Sequence, residues 1–258
     1  MELDDAYANG AYIAGGDQFP DRWTAQAAAF RDTADCALDQ PYGADPREVF
    51  DLFLPNGAPK GVVVFVHGGY WMALDKSFWS HLATGPLAHG WAVVIPSYPL
   101  CPVIRISGIT RRIAGLVDQV AARFAGLPLR LCGHSAGGHL VARMGCRDVE
   151  LAARERIARI VPISPVADLD PLLRTSMNET LRLDEAEARA QSPVLCPAPA
   201  APVTVWVGAD ERPAFIAQAK GLAEAWRSDL VIETGRHHFD VIDGLADGDS
   251  DLVAALLG

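Results

Sequence analysis

The sequence predicts an α/β fold, a doubly wound and mostly parallel sheet with helices on both faces. Three observations carry that prediction. Short, nearly continuous apolar runs recur along the chain, as strands covered on both faces require. Between them lie stretches whose apolar residues repeat at spacings of three and four, the period of a helix with one buried face. One such run, Leu129-Arg130-Leu131-Cys132, leads straight into Gly133-His134-Ser135-Ala136-Gly137. A serine between two glycines at that point reads as a sharp strand-to-helix turn that exposes its hydroxyl.

In chain order, residues 1–45 read as one or two helices plus loop. Glu48–Leu54 reads as a strand before a Pro-Asn-Gly turn. Val62–Val66 and Ala92–Ile95 follow as buried strands. Ile109, Ile113, Leu116, Val117, Val120 and Phe124 then form one helical stripe. After the strand at 129–132 and its glycine-rich turn, Ile160–Ile163 is the next strand. Residues 164–202 break the rhythm with a connection longer than usual, placed to lie over the active site as a small cap. Its end, Cys196-Pro197-Ala198-Pro199-Ala200-Ala201-Pro202, is a stiff connector. Val203–Val207 is a strand. Phe215, Ile216, Ala219, Leu222, Ala223 and Trp226 form a second helical stripe, opened by Pro213 as a first-turn residue. Leu230–Ile232 is the last strand, before a final helix. With 258 residues, half of them hydrophobic, the chain can build a full core as a single domain, 1–258.

A net charge of −10 argues against nucleic acid or an anionic membrane surface as partner, because both need a basic face. The start, Met1-Glu2-Leu3-Asp4-Asp5, has neither the basic nor the apolar region of a signal peptide. No apolar run reaches the ~20 residues of a membrane span. Cys36, Cys101, Cys132, Cys146 and Cys196 are scattered and odd in number, which fits reduced thiols and a cytoplasmic protein. No residue set has metal-ligand spacing, so neither metal nor cofactor is expected. The acidic residues Asp240, Asp243, Asp247, Asp249 and Asp251 read as a solvated surface. The expected partner is a small-molecule substrate; a homodimer stays open.

The chemistry starts at Ser135. Acyl transfer by a serine needs donors aimed at the developing oxyanion, a base, and a group that orients the base. The strand Val62–Val66 runs into His67-Gly68-Gly69-Tyr70-Trp71, and the amides of Gly68, Gly69, Tyr70 and Ala136 are the candidate donors. His67 reads as holding that loop. The acid follows the strand at 203–207: Asp210 is chosen, with Glu211 read as starting the next helix and Asp168 as a rival. The base lies in Gly235-Arg236-His237-His238-Phe239-Asp240; His238 is favoured, with His237 as the alternative. His134 and His139 flank the turn as packing or supporting groups, and His81 and His89 lie remote from it in sequence.

The elbow Gly133-His134-Ser135-Ala136-Gly137-Gly138-His139-Leu140, the loop His67-Gly68-Gly69-Tyr70-Trp71 and His238-Phe239-Asp240 together resemble the kynurenine formamidase (arylformamidase) branch of the α/β-hydrolases, from about residue 47 to the end. This branch carries an HGGxW loop where most lipase-like relatives carry HGGG, and the Trp71 position is what narrows the resemblance. The resemblance implies an α/β-hydrolase fold. It also implies Ser135, Asp210 and His238 as catalytic triad, and hydrolysis of N-formylkynurenine to kynurenine and formate in tryptophan breakdown.

A formyl group needs almost no acyl pocket. Tyr70 and Trp71 could therefore close the acyl side or stack on an aryl leaving group, or simply pack the loop. Arg174, Arg105 and Lys76 are candidates to receive a substrate carboxylate, and Ser176, Met177 and Asn178 to line the pocket; Trp71, Arg174, Met177 and Asn178 are taken as the substrate-binding set. A carboxylesterase or thioesterase for small acyl esters shares the same triad. A non-catalytic binding protein on a hydrolase scaffold is disfavoured, because candidates for serine, acid and histidine are all present.

Overall fold

The computed structural model describes every residue from Met1 to Gly258. One sheet holds eight strands: β1 (Cys36–Pro41), β2 (Val49–Phe53), β3 (Val62–Val66), β4 (Ala92–Pro96), β5 (Leu129–His134), β6 (Ile157–Ile163), β7 (Thr204–Gly208) and β8 (Asp229–Glu233). Their order across the sheet is β1-β2-β4-β3-β5-β6-β7-β8. β2 is antiparallel to both its neighbours, and the remaining pairs are parallel. The helices are α1 (Phe19–Arg31), α2 (Thr84–Ala88), α3 (Ile106–Arg123), α4 (Ala136–Gly145), α5 (Asn178–Leu181), α6 (Glu185–Gln191), α7 (Pro213–Trp226) and α8 (Asp251–Leu257). No helix is long and apolar enough to cross a membrane.

The apolar strand runs are continuous because both faces are covered. Along β3, Val62, Val64 and Val66 enter one core while Val63 and Phe65 enter the other, the alternation that the pleat imposes. The first core lies under α3, α4 and α7, with Ile109, Ile113, Leu140, Phe215 and Leu222 at 0% exposure. Each such side chain contributes about 1.5–3 kcal/mol by leaving water. The second core lies under α1 and α8, through Trp23, Leu252, Val253 and Leu256.

The order β4-β3-β5 has a functional consequence. From β3 the chain steps to one side, to β4, and then crosses to β5 on the other side. A crevice opens at such a reversal, outside the carboxyl ends of the strands, and ligands bind there. The loop 67–71 after β3 and the elbow after β5 are its two walls.

Two expectations change. Residues 1–45 contain a strand as well as helix: β1 pairs antiparallel with β2 at the sheet edge. It lacks a periodic signal because an edge strand buries little; no residue of Cys36–Pro41 is fully buried, and its register shifts between Ala37 and Gln40. The segment 164–202 does not cap the crevice. Arg105 pairs with Asp184 and Glu187, and Thr110 hydrogen-bonds Gln191, so α6 is held on α3. Gln218 of α7 holds the amides of Ala167 and Asp168 at 2.8 and 2.7 Å.

The elbow depends on space. A Cβ at Gly137 would lie 1.9 Å from the Val66 carbonyl oxygen and 2.6 Å from that of His67, both backbone atoms that cannot step aside. Gly137→Ala should therefore lower the unfolding free energy in urea by about 3 kcal/mol or more. Gly115→Ala, in α3 with open space around its would-be Cβ, should raise it by about 0.5–1 kcal/mol.

Candidate active site

Ser135 follows β5 as the cap of α4 with φ 56° and ψ −115°, a backbone conformation that costs a non-glycine residue about 1–3 kcal/mol. The strain is held by its surroundings: the Ser135 amide donates to the Ile163 carbonyl at 2.8 Å, and His139 donates back to the Ser135 carbonyl at 3.0 Å. The result is a hydroxyl presented to the crevice at the N-terminus of a helix, where the first amides have no intrahelical partner.

The loop after β3 forms the facing wall. Gly69 adopts φ +106°, and a Cβ there would meet the Ala73 carbonyl at 2.4 Å, so only glycine allows this turn. Tyr70 and Trp71 follow at φ 50° and 57°. The Gly69 carbonyl accepts from Met72 and Ala73, while the amides of Gly68, Gly69 and Tyr70 donate to nothing within the protein. Together with Ala136, first residue of α4, they are the unengaged donors beside Ser135. His67 supports the loop: its Nδ1–H donates to the Gly68 carbonyl at 2.7 Å, and its ring stacks on Tyr98 at 4.4 Å.

The structure brings His238 to Ser135; both line one cavity. The partner of His238 is Glu211, not Asp210. Glu211 Oε2 accepts from His238 Nδ1 at 2.6 Å, and Glu211 Oε1 accepts from the Gly208 amide at 2.8 Å and from the Ser164 hydroxyl. The Glu211 side chain has 0% exposure. Asp210 is exposed, and its backbone alone is engaged, with Arg236. The error lay in placing Glu211 in the next helix. That helix starts at Pro213 with Arg212 as its cap, so Glu211 lies in the turn where a carboxylate can fold back onto the end of β7. The proline at the first helical position was the signal. Asp168 is held through its backbone by Gln218 of α7, with no contact to His238. His237 turns away: its Nδ1 faces Asp240 at 3.1 Å and its ring packs edge-on to Phe19.

With Nδ1–H bound to a carboxylate, Nε2 of His238 carries the lone pair that can take a serine proton. His134 fixes the backbone behind it. Its Nε2–H donates to the His238 carbonyl at 2.8 Å, and the two rings lie 4.6 Å apart.

The cavity over Ser135 has a volume of about 600 Å³. Gly68, Gly69, Tyr70, Ser135 and His238 line its catalytic end, and Trp23, Trp79, Leu74 and Phe239 add apolar surface. The N-terminal segment supplies the roof, through Tyr7–Gly10, Gly16, Asp17 and Pro20. Tyr70 ties loop to roof by donating its hydroxyl to the Tyr7 carbonyl at 2.7 Å. Isolated aromatics in residues 1–31 gave no periodic signal, so this wall was not legible in advance.

The expected substrate-binding set lies elsewhere. Trp71 is at 0% exposure, packed edge-on against His139 at 5.0 Å, and lines no part of the cavity. Arg174 pairs with Glu2 on the surface. Asn178 closes its own loop through both polar atoms to Leu183, and Met177 packs on the core. Ser176 meets Asp4, Arg105 is occupied by α6, and Lys76 by Asp39 and Asp51. The placements of Arg174, Ser176, Met177 and Asn178 go with the docking of 164–202 onto α3 and α7.

Three histidines around the site are held neutral by burial: His67 is pushed down to about 4, His139 to about 3, and His134 well below its usual value, with His238 beside it adding to the effect. Unfolded, each titrates near ~6.5. Their folded values are depressed, so stability is full above that range and is lost as pH falls toward about 4, where the unfolded chain holds more protons. Each contributes up to about 1.4 kcal/mol per pH unit. The urea midpoint should drop steeply between pH ~6.5 and ~4.5; a flat profile would contradict buried neutral rings. For the acid, Glu211→Gln should slow fluorophosphonate labelling of Ser135 by about 10²–10⁴-fold, whereas Asp210→Asn should change it less than about threefold.

Residues 63–226 match the family described as the α/β hydrolase fold. The kynurenine formamidase of Salmo salar is 31% identical over 88% of this chain and 83% of its own length; that of Danio rerio is 30% identical with the same coverage. A crystal structure of a "putative thioesterase" from Silicibacter sp. TM1040 is 56% identical, covers 100% of both chains and superposes with a TM-score of 0.97. A catalytic-type serine on a strained elbow, a buried Glu–His pair and unengaged amides across a crevice thus stand on a chain that belongs to the α/β-hydrolase family of hydrolytic enzymes, in its kynurenine-formamidase-like branch.

Proposed function

We propose that the protein is a serine hydrolase of N-formyl arylamides, with N-formylkynurenine as substrate and kynurenine and formate as products. The observation that carries this reading is the aromatic cavity directly over Ser135, walled by Trp23, Trp79 and Phe239, which suits an aryl leaving group. The named relatives support the same chemistry.

In this mechanism Ser135 Oγ attacks the formyl carbon while His238 Nε2 takes its proton. Amides of Gly68, Gly69, Tyr70 and Ala136 receive the tetrahedral oxygen. The C–N bond breaks as His238 returns the proton to the arylamine nitrogen, leaving a formyl-serine. Water, deprotonated by His238, then releases formate and restores the serine. Glu211 holds the imidazole tautomer and offsets its positive charge.

Besides the phenols of Tyr7 and Tyr70, the ionisable side chains lining the cavity are His134, His238 and the exposed Asp17. Asp17 suits the α-ammonium of an amino-acid leaving group, with the carboxylate left in water at the open mouth. Thioester or ester hydrolysis is the second reading, favoured by the 56% identical "putative thioesterase".

A substrate panel decides between them. The wild type should turn over N-formylkynurenine with a kcat/KM at least about tenfold above that for short acyl esters and thioesters, and Ser135→Ala should abolish both. Strong ester or thioester turnover with no formamide cleavage removes the formamidase reading. Asp17→Asn should raise KM for N-formylkynurenine about three- to tenfold and leave formanilide, which has no ammonium, unchanged.

A further inference from the structure

At the far end of α4 from Ser135 lies a polar cluster that the hydrolytic mechanism does not use. Arg143 is 1% exposed, and a buried guanidinium requires acceptors. It finds two: the Asp148 carboxylate and, through Nη1 at 3.0 Å, the sulfur of Cys196. Cys146, at the C-terminal cap of α4 and itself fully buried, places its sulfur within 4.8 Å of those of Cys196 and of Asp148's carboxylate oxygen. Cys196 sits half-buried at the start of the irregular connector before β7.

We propose that Cys196 and Cys146 form a peroxide-reactive dithiol, in which Cys196 is oxidised beside Arg143 and Cys146 resolves it to a disulfide that staples α4 to the connector before β7. A thiolate is the reactive form of cysteine, and a contacting guanidinium stabilises it. The neighbouring Cys146 thiol and the Arg143 guanidinium hold the Cys196 thiol below the usual range, against its burial and the Asp148 carboxylate at 3.9 Å, while the adjacent Cys196 thiol and burial push the Cys146 thiol up, so Cys196 is the sulfur oxidised first.

In the first step the Cys196 thiolate attacks one oxygen of hydrogen peroxide. The S–O bond forms, the O–O bond breaks, and hydroxide leaves; the sulfur loses two electrons and the peroxide gains them. In the second, the Cys146 sulfur attacks the sulfenic sulfur. The S–S bond forms, the S–OH bond breaks, and the Cys146 proton leaves with the hydroxyl as water. The irregular connector must shift to close the gap to the ~2.05 Å of a disulfide.

The same two sulfurs and carboxylate could be read as metal ligands. The guanidinium in contact with both Cys196 and Asp148 opposes a cation there, and the structure therefore favours thiol chemistry. Cys36 is a built-in comparison: it is also half-buried, but burial and the carboxylates of Asp51 and Asp35 push its thiol up.

The test uses the reduced full-length protein and one equivalent of hydrogen peroxide. Two of the five thiols should disappear, and a peptide map should join Cys146 to Cys196. Cys146→Ser should stop at a sulfenic acid on Cys196, trapped by dimedone, and Cys196→Ser should keep all its remaining thiols. Arg143→Gln should slow the reaction about tenfold or more. Should that variant fail to fold, the wild-type comparison of Cys196 with Cys36 still decides. Oxidation of Cys36 as fast as Cys196, absence of the 146–196 link, or stoichiometric zinc uptake that protects Cys196 from alkylation would each overturn the proposal.

Discussion

The buried carboxylate of Glu211 is the interaction on which the site depends. It joins the ends of three strands: its oxygens take the Gly208 amide at the end of β7, the Ser164 hydroxyl just after β6, and the His238 imidazole beyond β8. A carboxylate without solvent exposure is tolerable only when its lone pairs are filled, and here hydrogen bonds from two of the three sides come from groups that cannot easily move. Ser164 itself is held at φ 47° and donates its amide to Trp206 at 2.7 Å. The imidazole is thus oriented by the sheet and not by a flexible loop. Its ring is packed between Phe215 at 4.3 Å and His134 at 4.6 Å, which leaves little freedom to rotate out of line.

The second organising feature is the reversal of strand order at β3. It opens the crevice, and the chain then fills one side of it from an unexpected direction. The N-terminal segment, not the excursion between β6 and β7, closes over Ser135. Its anchor is aromatic: Trp23 packs on Trp79 at 4.6 Å and on Phe239 at 5.4 Å. The Tyr70–Tyr7 hydrogen bond couples that roof to the loop carrying the candidate oxyanion donors. Substrate shape and oxyanion geometry are therefore set by one connected surface.

Legibility in the sequence followed burial. β3 and β4 were read to within a residue and β5 to within two at its C-terminal end, since strands covered on both faces must be continuously apolar. The stripes of α3 and α7 were visible for the same reason. β1 was not, because an edge strand exposes half its side chains. Ser135 was legible because the elbow needs glycine at fixed offsets, a local steric demand. Glu211 lay one residue from the choice made, and the choice failed because a carboxylate's role depends on where its oxygens end, which spacing does not report.

Fold class, nucleophile and the order of its partners are legible from the residues alone, because each is imposed by local sterics or by periodic burial. Which acid meets His238, which segment roofs the cavity, and the placement of Arg174, Met177 and Asn178 away from it are set by long-range packing. Those outcomes depend on contacts between segments far apart in the chain, such as Gln218 with Asp168 or Trp23 with Trp79. No local pattern encodes a partner at that distance; it exists only once the two cores have packed.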